Sequence, residues 1–210
     1  LDLEAEASEL DLESWLDPAA AGGAHGRIAG KLVVRGSTVE PRIEGAVRVR
    51  DLPADPFVLP LIEASVRVDS TGTRITDGRV DLGGPDAVFQ ARLPLYVSLT
   101  GPSRFEAGEG LVADLDTGPE LDLSTLDVLW PQVRTIDGTG RLRLSARGDP
   151  AQPELTGILA VRDGRFGLEG WFEELRDVRV DGRIDGQRME LTAIEARQGL
   201  RGRISGTGRV

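Results

Sequence analysis

Residues 138–164 read GTGRLRLSARGDPAQPELTGILAVRDG. Leu142, Leu144 and Ala146 alternate with polar residues, and after a short Pro-containing link Leu155, Leu159 and Val161 do the same. Alternation at period two is the mark of a strand with one face buried and one wet. The stretch therefore predicts two β-strands, the second ending at an Asp163-Gly164 turn.

The same grammar occurs earlier, in residues 26–51, GRIAGKLVVRGSTVEPRIEGAVRVRD. Gly36 corresponds to Gly148, Pro41 to Pro153, Gly45 to Gly157 and Asp51 to Asp163, each 112 positions on (163 − 51 = 112). The segment VRVD at 66–69 returns at 178–181. A constant offset of this kind predicts a tandem repeat, with one unit over about 10–121 and a second, incomplete one over about 122–210. Each unit is expected to open on a short helix, LDLESWLD at 10–17 and LDLSTLDVLWP at 121–131, where the apolar spacing changes to that of a helix face.

From there the strands follow one another. Ile28, Leu32 and Val34 form the apolar set of one; Ile43, Val47 and Val49 that of the next. Residues 52–60, LPADPFVLP, carry three prolines and predict a loop or an edge segment. Val66 and Val68, then Phe89 between Ala87 and Ala91, continue the pattern, and Leu95–Leu99 with Leu111–Leu115 predict a linking strand pair. The second unit adds Val178, Val180 and, near its end, Ile204. About fourteen strands and two short helices make an all-β chain far richer in strand than most.

Composition narrows the function. Of 210 residues 35 are Asp or Glu and 25 Lys or Arg, a formal charge of −10, so the basic face that nucleic acid requires is missing. Cys is absent, which excludes disulfides and thiol catalysis. No apolar run is long enough to span a bilayer as a helix. The opening LDLEAEASELDL has neither the basic start nor the apolar stretch of a signal peptide. The chain is accordingly expected to be an interior part of a longer polypeptide, with any anchor or export signal outside it.

No constellation for chemistry stands out. His25, the only histidine, sits in a Gly/Ala loop without companions, and a metal site needs several converging ligands. Asp114, Asp116, Glu120 and Asp122 lack the spacing of a calcium loop. Glu173 and Glu174 are a carboxylate pair of a sort any acidic chain offers. Neither a nucleophile elbow nor a phosphate loop is present. The reading is non-enzymatic, without cofactor or metal.

What remains is the apolar stripe. A one-sided sheet of many strands must bury its greasy face by closing, stacking or folding over lengthwise, because exposed apolar patches of this extent are rare without a purpose. A repeat favours the elongated solution. The ordered pattern is a Leu-Asp-Leu helix start, G-x-L-x-L-x-x-x-G, a loop ending in Pro, x-L-x-G-x-L-x-V-x-D-G, V-x-V-D and a final G-x-I-x-G-x-G. Over essentially the whole chain it resembles the TamB family of bacterial envelope proteins, within the AsmA-like group of bridge-forming lipid carriers.

That resemblance implies a β-taco, an elongated folded-over sheet with a hydrophobic groove, lying in the periplasm as part of a protein anchored in the inner membrane. It implies phospholipid acyl chains as ligand, the rest of the same long chain as neighbour, and a TamA-like outer-membrane barrel as partner through parts outside these residues. Leu52-Pro53 departs from the second unit, where Gly164 follows the Asp. Two other readings compete: a polysaccharide-binding or -cleaving β-helix or sandwich, and a structural periplasmic spacer with a self-filled interior. Trp15, Trp130 and Trp171 are expected to plug ends or cover the groove.

Overall fold

The computed structural model describes residues 1–11, 26–54, 57–82, 84–100, 104–105, 110–126, 133–150, 152–168, 173–199 and 201–209. In chain order the strands are β1 (Asp2–Asp11), β2 (Arg27–Gly36), β3 (Pro41–Ala54), β4 (Phe57–Asp69), β5 (Gly72–Asp81), β6 (Ala87–Leu93), β7 (Leu95–Tyr96) and β8 (Arg104–Phe105). They continue with β9 (Leu111–Asp116), β10 (Leu121–Asp122), β11 (Val133–Asp149), β12 (Gln152–Leu168), β13 (Leu175–Asp185), β14 (Arg188–Gln198) and β15 (Gly202–Arg209).

Thirteen strands lie in one antiparallel sheet of order β1-β2-β3-β4-β5-β6-β9-β11-β12-β13-β14-β15, with β10 attached to β11. The sheet is not closed, so β1 and β15 are its two edges. The chain divides into two compact units. One comprises Leu1–Asp81, Val88–Ala113 and Arg147–Pro153; the other Leu82–Ala87, Asp114–Ala146 and Glu154–Val210.

In the first unit, hairpins join β2 to β3 and β4 to β5. Gly36 takes φ 92°, where a side chain is disfavoured, and the Glu40 N–H donates to Ser37 Oγ at 2.9 Å within the link. Between β4 and β5, Asp69 Oδ1 accepts from the Thr71 hydroxyl (2.6 Å) and N–H (2.8 Å), bonds that hold its carboxyl below the usual range. The proline-rich stretch resolves as an edge segment. Leu52 faces Leu59, Pro53 faces Val58 and Ala54 faces Phe57, extending the β3–β4 ribbon beyond Arg50, where pairing with β2 ends. Each strand then has one free side, and a residue without an N–H is tolerated there.

In the second unit, Leu121, Leu123, Ile136 and Val161 form a buried cluster, with Leu82, Phe166 and Val180 packed against it. The helix expected over 121–131 is, within the described residues, a single 3₁₀ turn at Leu123–Leu126. Its cap is Asp122, whose Oδ1 accepts from the Ser124 N–H (2.9 Å) and hydroxyl (2.7 Å) while Thr125 Oγ1 donates to the Asp122 carbonyl (2.7 Å). Leu121 and Leu123 point into the cluster from either side of that cap. At the expected helix 10–17, residues 10 and 11 belong to strand β1 and the rest lie outside the described residues.

Two further expectations are corrected. Asp163-Gly164 is not a turn. Strand β12 runs through it to Leu168, and the register against β13 shifts between Val161 and Gly164, which makes it a β-bulge. Leu95–Leu99 and Leu111–Leu115 are not a pair: β7 pairs with β8, and β9 joins the large sheet.

Candidate functional site

Residues that face one another across an antiparallel ladder share a sheet face, so the registers sort every side chain. In the first unit they build four cross-strand rows. Leu3, Val34, Ile43, Val68 and Thr73 make the first; Ala5, Leu32, Gly45, Val66 and Ile75 the second. The third is Ala7, Gly30, Val47 and Ala64, and the fourth Leu10, Ile28, Val49, Ile62 and Val80. Thr73 is the one hydroxyl in them, and its Oγ1 donates to the Leu95 carbonyl at 2.8 Å.

The opposite face carries the charges in matched order. Arg48 meets Glu63 (Nε to Oε1, 2.6 Å), Arg67 meets Glu44 (3.0 Å), Arg35 meets Asp2 (3.6 Å) and Lys31 pairs with Glu4. Hydrogen bonding within the last pair holds the Glu4 carboxyl low and the Lys31 ammonium high. A shallow depression of about 520 Å³ on this unit is lined by Lys31, Arg48 and Glu63 around Ala46 and Ser65. Its charges face one another across the strands, so it has no surplus of either sign to offer a ligand.

Burial within the rows is uneven. Val34, Ala64, Val68 and Val80 are buried, but Ile28, Leu32, Ile43, Val47, Val49, Val66 and Ile75 are only half-buried. No large side chain among the described residues is fully enclosed. Glycines on the face are roofed by neighbours: a Cβ on Gly45 would meet Leu32 Cδ2 at 2.8 Å, and one on Gly78 would meet the Phe89 ring at 2.7 Å.

The second unit repeats the arrangement with its own residues. Leu159, Gly182, Leu191 and Gly208 form one row; Val161, Val180, Ile194 and Gly206 another. Leu144 lies beside Gly157, where a Cβ would meet its Cδ1 at 3.2 Å. Val161 and Val178 are buried; Leu142, Leu144, Leu155, Leu159 and Val180 are half-buried, as is Phe89 in the first unit; Ile204, on edge strand β15, is 38 % exposed. Arg162 ties β12 to β13, donating from Nη1 to the carbonyls of Val161 (2.8 Å) and Val180 (2.9 Å) and pairing through Nη2 with Asp181.

Residues of the apolar rows not singled out in the sequence are Leu3, Ala64, Ile75, Ile184, Met189 and Leu191. Their signal was the parity of each strand carried across its hairpin. The acidic residues considered for calcium are engaged separately. Asp114 accepts from Ser145 Oγ (2.9 Å) and Asp122 caps its turn. Burial pushes the Asp116 carboxyl up, but hydrogen bonds from Arg143 and the Gly118 N–H outweigh it and leave the group below its usual range. Among the described residues no three potential metal ligands converge, and no helix is long and apolar enough to cross a membrane. Glu174 lies 3.8 Å from Arg176 while Glu173 is exposed; His25, Trp15, Trp130 and Trp171 lie outside the described residues.

The fold and this face define a class, an open antiparallel sheet with one aliphatic and one charged side. No protein-family model, curated protein or solved structure matches the chain.

Proposed function

We propose that the chain is a periplasmic segment of a TamB-like protein whose apolar face lines a groove for phospholipid acyl chains, guiding them between inner and outer membranes. The observation that carries this reading is the set of aligned aliphatic rows left half-buried. A dry core filled by its own side chains would enclose Ile43, Val47 and Leu159, and none of the three is enclosed. Small aliphatics suit acyl chains, which gain from apolar contact and need no directional bonds. The mechanism is passive: chains slide over Val, Leu and Ile positions while headgroups stay at the open, wet margin.

The reading includes a folded-over sheet built from two tandem units 112 residues apart. Backbone conformation supports the duplication. Gly26 and Gly138 take φ 148° and 114°, Gly36 and Gly148 both take 92°, and Asp51 and Asp163 take 53° and 52°. Leucine roofing glycine likewise recurs, as Leu32 over Gly45 and Leu144 beside Gly157.

The test is photo-crosslinking in the bacterial envelope, with a probe at Leu159 on the apolar face or at Ala160, which faces Asp181 on the other side. Lipid adducts at Leu159 and not at Ala160, abolished by Leu159→Asp when the probe is moved to Val161, are expected. Adducts at neither position in a folded protein would sink the groove and favour a spacer.

A further inference from the structure

We propose that the free edge of β15 pairs, antiparallel, with the free edge of β1 from a second copy of this chain, joining copies head to tail. This stands apart from the lipid reading. Among the described residues no strand covers the outer side of either β1 or β15. An uncovered edge presents unpaired N–H and C=O groups and is a template for another strand.

The two edges are complementary in charge. On the wet face β1 offers Asp2, Glu4 and Glu6, with no basic residue in the strand. On the same face β15 offers Arg203 and Arg209, with no acidic residue in the strand. Inside the sheet the acids of β1 are already matched in this way, by Lys31 and Arg35 of β2. Arg209 bonds Glu190 of β14 at 3.1 Å, but Arg203 stands opposite Arg197, a like charge, so a carboxylate arriving from the free side is favoured there. β1 against β1, or β15 against β15, would oppose like charges.

The other parity agrees. Leu3 is 52 % exposed and Ile204 38 %, because each lacks a neighbour on one side of the apolar face. Joining the edges would shade both while keeping greasy and wet faces in phase. The contact uses different surfaces on the two copies, so it does not close on itself and grows with concentration.

Sedimentation velocity of the 210-residue chain tests this. Concentration-dependent association that weakens with added salt is expected. Arg203→Glu, and separately the pair Glu4→Lys with Glu6→Lys, should each weaken it by about tenfold. An equimolar mixture of the two variants should associate again, because each then presents the edge charge that the other lacks. Recovery on mixing also shows that both variants are folded. A chain that stays monomeric at low salt would overturn the proposal. So would association unaffected by either variant, which assigns the contact to another surface such as the apolar face, or variants that fail to recover on mixing.

Discussion

Arg162 does more than decorate the wet face. It crosses from β12 to β13 at the place where the ladder slips, and its guanidinium occupies two carbonyls and a carboxylate at once. The hydrogen bond from Arg162 is the chief cause that holds the Asp181 carboxyl below its usual range, with burial opposing it and the charges of Arg162 and Arg179 adding to it. A depressed carboxyl contributes stability above its unfolded value of about 3.9 and loses it as pH falls through the lower folded value. Arg162→Met should therefore destabilise the fold by about 1 kcal/mol at neutral pH, less than a buried charged bond because the pair is partly solvated. The gap to the parent chain should narrow below about pH 4, leaving only the share of the two carbonyl bonds. Urea unfolding of both proteins at neutral and acid pH reads this directly. A gap that does not change with pH would show that Asp181 is not the partner that matters.

Elements were legible in the sequence where period two persisted, and illegible where it broke. The registers of β2, β3 and β4 follow the alternation of Ile28, Val34, Ile43, Val49, Val66 and Val68, so the apolar face could be read strand by strand. The bulges could not. Five residues other than glycine take a left-handed conformation, and all are acidic: Glu9, Asp51, Asp77, Asp163 and Asp177. Four of them sit at register shifts, in β1, β5, β12 and β13. An Asp before a Gly has the same local conformation in a turn and in a bulge, and only the strand pairing of the residues beyond it separates the two. Phe166, facing Leu175 beyond the Asp163 bulge, supplies that pairing from a distance in sequence. The short helix failed for a similar reason: Asp122 caps one turn, and the buried leucines on both sides of it are shared with the sheet. The bulge account predicts a sign that plain strand propensity would reverse. Asp163→Val, favourable in a regular strand, should cost about 1–2 kcal/mol because a β-branched residue resists positive φ. Asp163→Asn should change stability by less than about 0.5 kcal/mol, since Asn tolerates the conformation. Thermal melts of the two variants decide it. Stabilisation by Val would mean that the left-handed residue is not required.

For the molecule as a whole, the two sheet faces respond to different conditions. The charged face carries a formal −10, and that charge keeps copies apart in solution. It vanishes near the pI of about 4.7, while the aliphatic rows are unchanged by pH because nothing in them titrates. At that point the half-buried face is the strongest remaining attraction between molecules, and apolar surface of this extent promotes association. Light scattering should therefore rise to a maximum as the pH is lowered to about 4.7, before the depressed carboxyls, Asp116 and Asp181 among them, are titrated. A short-chain phosphatidylcholine below its micellar concentration, occupying the rows, should suppress that maximum without moving its pH. Replacing Val47 and Leu159 by Asp should make the added lipid ineffective, since the ligand would meet a charge in each unit. If lipid leaves the scattering of the parent chain unchanged, the aliphatic rows are closed to acyl chains even when the charge that guards them is gone. The groove reading would then give way to that of a spacer.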